Sequence, residues 1–569
     1  MKHLVRLRLM ACLSIILLAS CKKSFPPQLT FIPKDATVVV AINADQLKDK
    51  LVKSQASLQK IISNMSGNSD TALEAGKKEW EALKKSGIDL EKNMYVWVVQ
   101  KGGEGAAGSS MGNNISAAVA SIKSSNDLAV YIKSKDATLE VKKDKNFSYV
   151  TKGGDKMIAW NDKLVVAMIY NKSYSGGMEY DSVTGNYNMK APADANVTTE
   201  LMAEMTASFT RAQDESIASI KEYTTLAGEK TDLSFWINPS SSIDGIPFPL
   251  PKIKELAEGN YTAATLNFED GKMVVNSKSY AGKALAGILK KYSGPEVNLD
   301  LVKRYSAADI NGFMVFAFDP QIFSGIVKYM EVGALVDVYI TKFMGANYTL
   351  EQALKAIKGD IAVVVSGIGI NKADSLNTMG VTPMGMPVAK VIFTMPVGDT
   401  MQINKIMDRL AFMKMLEKTN RGYELSVPFG FGLTGLADNE SITIASDNQL
   451  LQAYKAKSSA VTQNIDLKPY SGKSAADYFN IASVLNSLSS QKQGDSTFNV
   501  MLNNARTTFK DLLAHSENFK GDAIASHFEL RFVDEKENSL VSFLSFIAQA
   551  SEMAKKNKMI TVSNVEQEN

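Results

Sequence analysis

Residue types able to do covalent, redox or metal chemistry are scarce in this chain. Its cysteines are Cys12 and Cys21, and its histidines are His3, His515 and His527. His515 falls in "DLLAHSENF", which reads as the end of a helical run. His527 falls in "AIASHFELRF", whose alternation reads as a strand. Both histidines are expected to be structural. A His–Cys zinc site has no ligands to use. A Ser–His–Asp triad would have to recruit one of the two late histidines, and neither sits in a nucleophile motif. No G-x-S-x-G or H-E-x-x-H occurs. "GGEGAAG" lacks the Lys-Ser/Thr of a phosphate loop, and the acidic turns "DSVTGNYN" (181–188) and "FEDGK" lack calcium-loop spacing. No metal and no cofactor is expected. Carboxylates are abundant but no pair stands out by spacing. A carboxylate-dependent hydrolase acting on envelope or dietary polymers is therefore kept as the alternative to a non-enzymatic scaffold that binds a ligand or a protein.

Cys21 is the one residue with a definite chemical assignment. Residues 1–20, "MKHLVRLRLMACLSIILLAS", open with Lys2, Arg6 and Arg8 and continue with an apolar run from Met10 to Leu18. Positive charge followed by a short apolar run is the order of a signal peptide. The run is shorter than the ~20 residues that span a bilayer. Leu18-Ala19-Ser20-Cys21 resembles a bacterial lipobox, in which the cysteine thiol becomes the lipid attachment point. Several acyl chains on one residue would anchor durably, at ~0.8 kcal/mol per buried methylene. Lys22 and Lys23 follow, and no aspartate stands after the cysteine. The expected location is the outer membrane, lipid-anchored, with the periplasmic face favoured over the surface.

Composition narrows the partners. The chain has 569 residues, 45% hydrophobic and 22% charged, with a formal net charge of +3. Without the three basic residues of the leader, basic and acidic residues balance at sixty each. That balance gives no electrostatic case for nucleic acid. An envelope protein or a glycan is the expected partner. Without Cys12 no internal disulfide can form, so stability must come from the core, which a chain this long can build.

Two Gly-rich loops are the candidate binding elements. One holds Gly102, Gly103, Gly105 and Gly108; the other, within 366–387, holds Met379, Met384 and Met386. Glycine admits close approach of a ligand, and methionine adapts to irregular apolar surfaces.

The elements that would carry those loops recur in order. "TVVVAINADQLKDKL" (37–51) parallels "FMVFAFDPQIFSGIV" (313–327), each a strand, then Asn43 or Asp319, then a helix start. Those side chains are suited to accept from free amides of the helix start. "NMYVWVVQ" (93–100) parallels "DIAVVVSG" (360–367), and strand–helix units follow at 116–134 and 389–410. Polar turns before alternating strands recur at 157–170 and 435–454, and "DLSFWINPSSSI" (232–243) parallels "ADYFNIASVLNSL" (476–488). The last match sets 263–280, with its Asp270-Gly271 hairpin signal, against 524–544. Helices are expected at 71–87, 196–228 and 542–558, and the tryptophans Trp97, Trp160 and Trp236 are expected in the core. The pattern predicts an α+β fold: a tandem duplication of mixed, largely antiparallel sheet-plus-helix halves, with helices on one sheet face. The segments are a leader (1–20), an anchor linker (21–27), halves at 28–296 and 297–557, and a tail (558–569).

The lysine pair after Cys21, then "PKDA" and an apolar strand ending in Asn43, resemble the start of a family of Bacteroidetes lipoproteins known only as a domain of unknown function. The resemblance implies outer-membrane association over nearly the whole mature chain and attaches no catalytic signature. Size and anchor also resemble glycan-capture lipoproteins of the same bacteria. Those are predominantly helical, and the many strands here argue against membership.

Overall fold

The computed structural model describes residues 25–53, 78–79, 81–101, 113–172, 178–180, 187–189, 197–240, 252–307, 309–345, 348–370, 387–425, 433–457, 465–489, 496–551 and 553. The strands of the first half are β1 (Val38–Ile42), β2 (Met94–Gln100), β3 (Asn114–Ser121), β4 (Lys142–Lys143), β5 (Ser148–Lys152), β6 (Lys156–Trp160), β7 (Leu164–Asn171), β8 (Met178–Tyr180), β9 (Tyr187–Met189), β10 (Leu233–Ile237), β11 (Tyr261–Glu269) and β12 (Lys272–Tyr280). Those of the second are β13 (Gly312–Ala317), β14 (Asp360–Ile370), β15 (Pro387–Pro396), β16 (Leu416–Thr419), β17 (Gly422–Leu425), β18 (Thr434–Ala437), β19 (Ser441–Ala445), β20 (Ala475–Phe479), β21 (Phe509–Ser516) and β22 (Ala523–Phe532).

Apart from the small β8–β9 hairpin, these strands form one 20-stranded sheet in which every pairing is antiparallel. Its spatial order is β4-β5-β6-β7-β3-β2-β1-β10-β11-β12, then β22-β21-β20-β13-β14-β15-β19-β18-β17-β16. Read outward from the middle, the two series visit their strands in the same chain order. The middle is the β12–β22 ladder, whose central pair is Asn276 opposite His527. The two outermost strands are short and charged: β4 is two lysines and β16 is Leu-Glu-Lys-Thr. Such edges discourage pairing with another chain.

Alternation along the strands builds the core. In β2 the inward residues are Tyr95, Trp97 and Val99. They join Val39 and Ala41 of β1, Trp236 of β10, and Leu201, Met205, Tyr223 and Leu226 from the helices Val197–Thr210 and Lys221–Ala227. The second half repeats this on the same face, with Phe313, Val315, Val364 and Ile392 under Leu450, Leu451 and Tyr454 of helix Asn448–Lys455. Trp97 and Trp236 are fully buried and Trp160 nearly so, as expected.

Helices cover both faces of the sheet, not one. Leu128 and Ile132 of helix Ser125–Lys135 pack on Val150, Trp160 and Val165, which point away from the first core. Ile403 and Met407 of helix Thr400–Phe412 do the same over Tyr423 and Ala437. Val165 and Val166 are adjacent and both buried, one in each layer. A sheet buried on both sides loses the polar alternation that would have signalled this.

The capping expectation holds. Asn43 Oδ1 accepts from Gln46 N (3.2 Å), and Asp319 Oδ1 accepts from Gln321 N (2.9 Å). The polar turns match as well. Asn161 Oδ1 accepts from the amides of Lys163 and Leu164, and Asp438 Oδ1 from those of Glu440 and Ser441. Three further expectations need correction. The helix read at 196–228 is broken over 211–220, where 3-10 turns at Gln213–Glu215 and Ile217–Ser219 bring Ile217 and Ala218 into the core. His515 lies in β21, not near the end of a helix. The hairpin equivalent to β11–β12 is therefore β21–β22, spanning Phe509–Phe532, and the sequence match of 263–280 with 524–544 is one strand out of step.

Candidate functional site

The face that carries both cores is interrupted at the sheet's middle. There β11, β12, β22 and β21 present Thr265, Asn276, Lys278, His527, Ala525 and His515 to a groove that no helix among the described residues covers. Helix Lys221–Ala227 forms one wall with Glu222 and Thr225. The β21–β22 turn forms the other with Glu517, Phe519 and Lys520, and Tyr280 sits at the end of β12. The larger part of this seam groove has a volume of about 770 Å³, and a narrower part of about 260 Å³ continues over the histidines.

The floor is a polar network on rigid strands. His527 Nδ1 lies 2.7 Å from Asn276 Oδ1, and Nε2 lies 3.1 Å from Glu529 Oε1. Both partners are acceptor oxygens, so the ring donates both bonds only with a proton on each nitrogen. Glu529 also accepts from Lys272 Nζ (2.8 Å). Burial pushes the Glu529 carboxyl up, but the bonds from Lys272 and His527 outweigh it and hold the group below the ordinary range. Lys473 binds Glu517 and lowers its carboxyl too. The ring of His515 stacks on that of His527, with centroids 5.1 Å apart and planes at 26°. Burial lowers the His515 pKa, and the charges of Lys473 and His527 lower it further. Beyond Glu529, Arg531 grips the buried Asp511 with two 2.6 Å bonds.

This arrangement can hold a polar ligand by donors and acceptors of both signs, with Tyr280 and Phe519 as apolar contacts. Neither Glu517 nor Glu529 is tuned to act as a general acid. A glycosidase pair needs one carboxyl kept protonated, and Glu517 and Glu529 are both shifted the other way. Among the described residues no His/Cys/Asp/Glu group is arranged to hold a metal ion. No helix among them is long and apolar enough to cross a membrane.

The residues singled out from the sequence, Cys21, Gly102, Gly103, Gly105, Gly108, Met379, Met384 and Met386, lie outside the described residues. Their flanks are described. Lys101 N donates to Asn113 O (2.7 Å) where the β2–β3 loop closes, and Ile370 pairs with Pro387 where the β14–β15 loop closes. These closures sit ten strand positions apart, roughly 48 Å along the sheet at ~4.8 Å per strand, and neither flank lines the seam groove. The histidine pair and its neighbours were not legible as a site. The usable signal was the repeat itself: aligned in step, it would have made 509–532 a hairpin and set His515 opposite His527.

Residues 29–381 match the family described as Domain of unknown function (DUF4836). The chain belongs to this family. No curated protein matches it significantly. Among solved structures it is similar to crystal form IV of TP0453 at 9% identity, covering 46% of this chain and 83% of that one, with a TM-score of 0.24. Crystal form III of TP0453 matches at 11% identity, 51% and 90% coverage and a TM-score of 0.25. Scores this low assign neither a shared fold nor a shared role.

Proposed function

We propose that this protein is a lipid-anchored binding scaffold of the bacterial cell envelope, tied to the outer membrane through Cys21 and facing the periplasm. Its ligand site is the seam groove. The observation that carries the reading is the polar floor around Asn276, His515 and His527, which no described helix covers, between two apolar cores. Both signs of charge and two aromatic contacts suit a hydroxyl-rich, glycan-type ligand. The shared strand order of the two series supports an origin by tandem duplication, with the groove where the copies meet. The hydrolase alternative would have to use carboxylates of this groove, such as Glu222 and Glu517 on its facing walls, and the bond from Lys473 holds Glu517 below the range a general acid needs.

The test has two arms. Cells fed labelled palmitate should label the wild-type chain and not Cys21→Ser, which should also leave the membrane fraction. The mature chain should be screened against envelope and dietary oligosaccharides by thermal shift. A binder at 100 times its Kd adds ~2.7 kcal/mol of stability, and Lys278→Glu and Tyr280→Ala should each abolish that gain. A binder whose effect survives both changes would place the site elsewhere.

A further inference from the structure

The outermost strand of the first half carries an exposed basic cluster. Lys142 and Lys143 make up β4, Lys145 lies in the following turn, and all three are exposed. None forms an ion pair among the described residues. The next inward residue, Phe147, is buried and stacks on Phe209 with centroids 4.6 Å apart. Phe209 meets Phe31 edge-on at 5.1 Å. Phe31 closes the 3-10 helix Pro27–Phe31, and Phe25 packs against the same core. Two ring contacts thus connect the β4–β5 hairpin to the point where the chain comes in from residue 21.

Chain length then restricts the geometry. Cys21 precedes Phe25 by four residues, which extend no further than ~14 Å. If Cys21 carries the anchor, as proposed above, the folded body cannot stand away from the lipid, and the hairpin lies beside the same surface. We infer that Lys142, Lys143 and Lys145 dock on anionic headgroups of the leaflet that holds the anchor. Glu140 and Asp144 offset part of the charge, and Lys22 and Lys23, which directly follow Cys21 in the sequence, add two positive charges to the attachment. An acyl anchor beside a basic patch is a two-signal attachment. The competing explanation is that edge lysines only prevent strand pairing. Reversing their charge separates the two, because glutamates protect an edge equally well.

The chain from residue 21 with Cys21→Ser keeps every described residue and has no acyl group. It should sediment with phosphatidylethanolamine vesicles containing phosphatidylglycerol, and not with phosphatidylcholine alone. High salt should release it. Each lysine replaced by neutral residue should weaken binding roughly five-fold at low salt, and K142E/K143E/K145E should abolish it while the protein stays monomeric. Equal sedimentation of the triple variant and its parent overturns the inference. So does equal amine labelling of these three lysines and of exposed Lys290 and Lys291 when the native chain sits in cell membranes; the expected result is protection of the first group alone. The vesicle arm contains no lipid anchor, so its failure is distinct from failure of Cys21 acylation.

Discussion

His515 and His527 stack across the β21–β22 ladder, ring centroids 5.1 Å apart, although twelve positions separate them in the chain. Two imidazolium rings at that distance repel, and His515 is the more enclosed of the pair, with its Nδ1 buried and without a hydrogen-bond partner. Its folded pKa lies below the ordinary 6.5, from burial first and then from Lys473 and His527. The unfolded chain therefore binds a proton at His515 before the folded one does. Stability should fall as pH drops below about 6.5 toward the folded pKa, and level off beneath it. His515→Gln should flatten that part of the curve in urea titrations run across the range. An unchanged slope would remove His515 as its source.

Asp232 is fully buried at the start of β10 and binds Lys50 of helix Ala44–Lys53. Its Oδ2 also accepts from Phe268 N (2.6 Å), and Lys50 donates to Phe268 O (2.7 Å). Asp232→Ala would leave the lysine without its counter-charge and should cost ~3–5 kcal/mol. Pairing Asp232→Leu with Lys50→Met should recover much of that loss. Denaturant midpoints of the wild type and the two variants decide it, and an Asp232→Ala change under about 1 kcal/mol would show that solvent reaches the pair.

Gly271 closes the β11–β12 hairpin at φ +69°. A Cβ there would come within 2.5 Å of the Glu535 Cα, and the Gly271 amide and carbonyl bind Glu537 O and Phe532 N. Gly271→Ala meets both left-handed strain, of order 1–3 kcal/mol, and a backbone clash. It should loosen the contact between this turn and residues 534–538, seen as faster amide exchange at Phe532. Alanine tolerated with native exchange would contradict the close approach.

Helix Gly333–Met344 has no buried residue, and Leu335, Val338 and Tyr339 are each more than half exposed. Changing any of them to Ser should alter stability by no more than ~0.5 kcal/mol. Trp97→Ala, at a fully buried position, should cost ~3–5 kcal/mol. Urea unfolding of the four variants measures this contrast. A large loss at Tyr339 would mean that the helix is covered in solution.

The local elements were legible in the sequence because short-range physics sets them. The Asn43 and Asp319 caps, the turns at Asn161 and Asp438, the alternation of Tyr95, Trp97 and Val99, and the Asp270-Gly271 hairpin each depend on neighbours within a few residues. The second helical layer was not, since a strand buried on both faces gives up its polar alternation. The pairing partners were not either: β12 meets β22 across some 250 residues of chain, and only the closed ladder sets Asn276 opposite His527. The sequence by itself determined the α+β class and the local turns and caps. Only the tertiary structure decided that one continuous sheet joins the halves and that both late histidines share a groove at its middle. Ladder register over long chain separations is a property of the whole packed sheet, and no local run of residues encodes it.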